Sequence, residues 1–221
     1  MKGINWKDHI INLIVVVFGI SIAFQLNNWK ANNEKVTLEY KFCDSFLNDL
    51  ELDIEFLKSL RDTSKHYLIS NRRLLNIIEK KNFNNDSLIY HLIDLYAYSE
   101  FLPQNVTYET FKSSGSLDIL QDFTLTKNIT RLYGQLYGYI RIIDNFHREQ
   151  QVNKLSPYIN KHIALSASPR LMNKDFLNDI YFGNLVNGSQ YLLLAKIEAY
   201  DNALELAEQL HADISAYTAK R

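Results

Sequence analysis

The most specific pairing of residues able to do chemistry is Glu208-x-x-His211, near the end of the chain, with Asp144-x-x-His147 as a second half. Helical di-metal sites take Glu-x-x-His from each of two helices and a further glutamate from each of two more. Positions three apart share a helix face, so both side chains reach one ion. Here aspartate replaces one glutamate, and no two supporting glutamates can be assigned. The plainer reading is that His211 packs at a helix seam with its ring nitrogens bonded or wet. The incomplete ligand count favours that reading, and no metal or other cofactor is expected. Asp49, Glu51, Asp53 and Glu55 alternate without an EF-hand glycine and read as charge on a solvated helix face. Ser113 to Ser116 offer hydroxyls, but no neighbouring base can be assigned. Ser114, Gly115 and Ser116 read instead as a structural turn that caps the flanking helices. Neither G-x-G-x-x-G, Walker A, G-x-S-x-G nor H-E-x-x-H occurs, and the six histidines are scattered. No catalytic residue is therefore expected.

The elements that must position these residues read as helices. Seven Gly and three Pro in 221 residues fall well below the roughly 12% of average usage. A sandwich or barrel needs turn residues far more often. Cys43, Phe46, Leu50, Ile54, Leu57 and Leu60 form an apolar stripe at helical spacing, predicting a helix over about 31–81. Nothing between Leu26 and Glu34 breaks a helix that begins further upstream. Residues 82–86 are a polar turn, and Asp86 or Ser87 caps a short helix through Ser99. Pro103 marks a break before a helical piece at 107–113 and another at 117–121. Asp122 or Thr124 starts a long helix to about Lys154, where Pro157 ends or kinks it. Residues 164–188 are the loosest stretch, around a short helix at 174–182. The last helix, 189–219, carries the seam Leu193, Ile197, Tyr200, Leu204, Ala207, His211 and Ile214. Tyr133, Tyr137 and Tyr139 crowd one helix and read first as packing, with a partner surface or ligand cleft as the alternative. Gly134 and Gly138 beside them permit close approach of another element.

Average properties mislead at the N-terminus. The mean hydropathy is −0.22, yet residues 10–26 carry no charge. The chain's two tryptophans, Trp6 and Trp29, bracket this run 23 residues apart, roughly 34 Å of helix. That matches a hydrocarbon core with an aromatic belt on each side. Residues 10–29 thus read as a transmembrane signal anchor behind a cytoplasmic tail, 1–9, and ahead of a helical domain, 30–221. Ser21-Ile22-Ala23 could serve as a cleavage site, but the apolar run continues past it, which favours an uncleaved anchor. The lysines before and after the run leave the charge rule indecisive about orientation. Gly19 and Ala23 form a small-xxx-small pair suited to packing against a second span. With 24 basic and 25 acidic residues, there is no bulk charge to attract nucleic acid.

Two segments together resemble a known family. Val15-Val16-Val17-Phe18-Gly19-Ile20-Ser21-Ile22-Ala23 leads into Gln25-Leu26-Asn27-Asn28-Trp29, and Thr107-Tyr108-Glu109-Thr110-Phe111-Lys112-Ser113-Ser114-Gly115 precedes Leu117. This is similar to the bacterial single-span membrane proteins grouped as domain of unknown function 6090. Phe24, Lys30 and Lys127 depart from the commoner leucine, asparagine and arginine. The resemblance implies an α-helical extracytoplasmic domain on an N-terminal anchor and implies no activity. The resulting expectation is an all-α chain: a transmembrane helix, then a periplasmic bundle of three or four long helices at the bacterial inner membrane. Its role is expected to be non-catalytic protein interaction or scaffolding, with the bilayer and a second copy or another membrane protein as partners. The alternative is a ligand- or metal-binding helical sensor or enzyme using the His147/His211 region.

Overall fold

The computed structural model describes residues 6–113, 119–166 and 169–219. Helix α1 runs unbroken from Trp6 to Glu79, 74 residues or about 110 Å. Its first half is bare: no side chain described before Glu39 is buried, and Trp6 and Trp29 both lie open. This segment is long and apolar enough to cross a membrane. The continuity fixes the two tryptophans on one rod, at the separation the sequence spacing implies. A side chain at Gly19 would meet nothing within 4 Å, so this face has no neighbour among the described residues.

From Glu39 onward one face of α1 is buried against other helices. Helices α2 (Leu88–Asp94) and α3 (Val106–Ser113) are short. Helix α4 (Phe123–Arg131) starts on Asp122, whose carboxylate accepts from the Thr124 and Leu125 amides. It continues through a π-helical segment, Leu132–Leu136, into α5 (Tyr137–Gln150), a second π-helical segment, Gln151–Leu155, and α6 (Ser156–Ile159). Of the end or kink expected at Pro157, the end does not fall there, since the helix continues to Ile159. A proline breaks a helix by its missing N–H and its clash with an earlier carbonyl, and here the preceding turn is already widened. Strands β1 (Ile163–Ala164) and β2 (Arg170–Leu171) form a small antiparallel hairpin that the sequence did not predict. A 3₁₀ turn at Asp175–Asn178 replaces the short helix expected over 174–182.

Helix α7 spans Ile180–Ala219, nine residues longer at its start than expected. Gly183 and Gly188 are carried inside it because Phe182, Leu185 and Val186 bury against the far end of α1. Helix α7 runs antiparallel to α1. Tyr217 donates to Glu39 near one end, Lys58 pairs with Glu208, and Asn71 donates to Ser189 at the other. The expected turn at Ser114, Gly115 and Ser116 lies outside the described residues.

The apolar interior is divided. One cluster gathers Phe46, Leu50, Leu57, Phe111, Ile129, Leu132 and Tyr200; the other gathers Leu74, Leu92, Leu155, Ile159 and Phe182. Between them lies a polar layer in which Asn71, Asp144, His147, Gln151, Ser189 and Lys196 are all buried.

Candidate functional site

The polar layer centres on an ion pair. Lys196 Nζ lies 2.9 Å from Asp144 Oδ1, with the side chains 1% and 5% exposed. The same ammonium donates to the Ser99 carbonyl at 2.5 Å and lies 3.5 Å from His147 Nδ1. Asp144 also accepts from the Phe101 amide at 2.9 Å and the Tyr200 hydroxyl at 3.3 Å. His147 Nε2 is 3.2 Å from Gln151 Nε2, which points on toward Ser189 and, through it, Asn71. Burial, reinforced by the Lys196 charge, pushes the His147 pKa down to about 3, so the imidazole is neutral at physiological pH. Burial also lowers the Lys196 pKa, against the opposing pull of Asp144.

This arrangement decides the fate of the sequence candidates. Asp144 and His147 do face one point, but an ammonium group occupies it. Glu208 is directed instead to Lys58 at 2.6 Å, on the surface. It sits eight residues beyond Tyr200, about 12 Å further along α7. His211 is half-buried near the chain end, and Leu210 takes the seam position. The two Asp/Glu-x-x-His pairs therefore do not converge. Among the described residues, no group of three His, Cys, Asp or Glu is arranged to hold a metal.

Lys196 is the residue that sequence reasoning missed. Leu193, Lys196, Tyr200, Ala203, Ala207, Leu210 and Ile214 also follow a three-four alternation and form the buried track. The adjacent track through Ile197 and His211 looks better only because it holds no lysine. Asp53 corrects a second expectation: of the acidic run, Glu51 and Glu55 are solvated while Asp53 is 1% exposed. Its Oδ1 accepts from the Gln104 amide at 2.8 Å. Burial raises its pKa to about 6, more than that amide and Tyr137 lower it.

Three buried charges thus converge on one loop. Lys196 holds the Ser99 carbonyl, Asp144 the Phe101 amide and Asp53 the Gln104 amide. This loop and α3 form one wall of a groove of about 610 Å³. The opposite face comprises Tyr133, Gly134, Tyr137, Gly138, Arg141 and Arg148. Tyr108 stacks on Tyr133 with ring centroids 5.0 Å apart, and a Cβ at Gly134 would sit 3.3 Å from the Tyr108 hydroxyl. Close approach is therefore real at Gly134. At Gly138 a Cβ would meet nothing, so that glycine opens onto the groove.

A serine, a histidine and an aspartate also meet, at Ser70, His91 and Asp94. Ser70 Oγ lies 2.8 Å from His91 Nδ1 and donates to Asp94 Oδ2 at 2.5 Å. The hydroxyl is in the middle rather than at the end, and Ser70 is buried. In a hydrolytic triad the histidine stands between carboxylate and hydroxyl, so this order positions a helix and does not activate a nucleophile.

No curated protein and no solved structure matches the chain. A family model does match, over residues 12–193, from the apolar segment into α7. By that match the chain belongs to a family of unknown function, DUF6090.

Proposed function

We propose that the chain is a membrane-anchored helical module of the bacterial cell envelope, acting through protein–protein contact. In this reading residues 10–29 cross the inner membrane, and residues 30–221 form a helical bundle in the periplasm. The observation that carries it is an uncovered apolar row on the outer face of α5. Tyr139, Ile142 and Phe146 are 53%, 52% and 63% exposed at helical spacing. A row of large side chains at i, i+3 and i+7 is the usual docking face of a helix. An anchor confines both the chain and its partner to one plane, which favours a second copy or another membrane protein.

The test is a photo-crosslinking residue at position 142, used in intact membranes, with alkaline phosphatase fused after residue 221. A single adduct of defined mass, weakened by Phe146→Asp, together with active phosphatase, is the expected result. No adduct from position 142 refutes the contact, and inactive phosphatase refutes the placement. A ligand-binding role is the second reading, and the groove beside Asp144 favours it. For the metal version at His147, elemental analysis of the purified chain decides.

A further inference from the structure

We infer that the groove between residues 100–112 and the helix face 133–148 is a binding site for a small soluble organic anion: a carboxylate or phosphate on a small apolar body. The inference goes beyond the contact role proposed above; only its choice of a soluble source rests on residues 10–29 crossing the membrane.

The charges in the lining are unevenly committed. Arg148 is tied to Glu100 at 3.5 Å and to Asn145 at 3.0 Å, and Asp144 is tied to Lys196. That leaves Lys112 and Arg141 against Glu109, an excess of one positive charge. Arg141 makes no ion pair among the described residues, and Lys112 lies over the Tyr108 ring at 5.9 Å. A guanidinium without a carboxylate suits a bidentate oxyanion. One net charge suits a small anion and not a polyanion such as nucleic acid.

The shape supplies the rest of the ligand class. Tyr108, Tyr133 and Tyr137 are buried and form only the floor of the groove; Leu102, 69% exposed, supplies apolar surface at its wall, and Gly138 leaves the helix backbone uncovered. The π-helical segment Leu132–Leu136 widens the helix at this point, as such segments do at functional sites. A volume of about 610 Å³ lies within the range of small-molecule pockets. The wall is also preformed, since Lys196, Asp144 and Asp53 each hold a backbone group of residues 99–104. Buried charges contribute little net stability, so their convergence on one loop is explained by the position it must keep.

A lipid headgroup is the wrong source for the anion. Asp53 stands level with the groove through Gln104, and it lies 24 residues beyond Trp29 on α1, about 36 Å. The site therefore takes a molecule from solution.

The probe is phenyl phosphate, with benzoate as the carboxylate arm, added to the full chain in lipid nanodiscs and followed by saturation-transfer NMR. Binding with a Kd on the order of 1 mM is expected for so small a probe. Inorganic phosphate should bind at least tenfold more weakly, because it lacks the apolar body. Arg141→Ala should weaken phenyl phosphate at least tenfold, and Gly138→Leu should abolish binding by filling the groove. Arg131→Ala, outside the lining, should change nothing. Arg141 is exposed, so its variant keeps the fold even if Gly138→Leu does not. Failure of both aromatic anions to bind the wild-type chain overturns the proposal. Binding that Arg141→Ala leaves unchanged overturns it equally.

Discussion

Replacing Lys196 by methionine tests the central ion pair directly. The change keeps most of the side-chain volume and removes the ammonium, leaving Asp144 buried with only the Phe101 amide and Tyr200 hydroxyl as donors. Both side chains of the pair are nearly inaccessible, so water cannot replace the lost cation. Breaking such a pair on one side costs about 3–5 kcal/mol. For a domain of this size each kcal/mol moves Tm by roughly 2–4 °C, giving a fall of about 10 °C. The double variant Lys196→Met with Asp144→Leu removes the stranded charge as well, and should recover to within about 1–2 kcal/mol of wild type. Urea unfolding of the detergent-solubilised chain, followed by far-UV circular dichroism, measures these two variants, Asp144→Leu alone and the wild type. The reasoning fails if Lys196→Met costs less than about 1 kcal/mol, the value of an exposed pair. It fails also if the double variant loses the sum of the two single losses.

Further outcomes follow from other buried groups. His147 has a folded pKa of about 3 against 6.5 unfolded, so the unfolded state takes up its proton first. Its contribution is complete above about pH 6.5 and is lost as pH falls toward 3, up to about 5 kcal/mol; His147→Gln should flatten that slope in acid unfolding curves. Asp53 has the opposite sign: its pKa rises from 3.8 to about 6, so the fold holds the proton and loses stability as pH rises through that window. Asp53→Asn keeps an acceptor for the Gln104 amide and should stabilise the chain by about 1–2 kcal/mol near pH 7.5, read by urea midpoint. At Gly188 a new Cβ would lie 3.0 Å from Gln150 Nε2, which donates to the Leu185 carbonyl. Gly188→Ala should therefore be near neutral alone, and stabilising by about 1 kcal/mol, by thermal melt, in a Gln150→Ala background where the helix preference for alanine acts unopposed.

The parts of this molecule legible in the sequence are those set by local periodicity. The stripe from Cys43 to Leu60 does bury, with Ile54 half-buried at its edge, and Asp122 does cap its helix. The bare apolar segment with a tryptophan near each end is equally plain. The candidate site was less legible, because each of its charges is decided by a distant partner. Lys196 turns inward for Asp144, and Asp53 for the Gln104 amide. No window of neighbouring residues contains those pairings. The start of α7 is illegible for the same reason: the two glycines are local signals, and the burial of Phe182 and Val186 that overrides them is not. Tyr139 stands close to Tyr133 and Tyr137 in sequence, yet two residues turn a helix by about 200°, placing Tyr139 outside.

The bare stretch of α1 between Trp29 and Glu39 fixes an azimuth as well as a distance. A continuous helix transmits twist, so the face of the apolar segment that bears Gly19 is phased to the face of the domain that bears Phe146. Inserting one residue there would rotate the domain by about 100° and lift it 1.5 Å, while four residues would nearly restore the original heading. Any partner that must grip both the segment and the domain therefore reads this stretch as a dial with a few permitted settings.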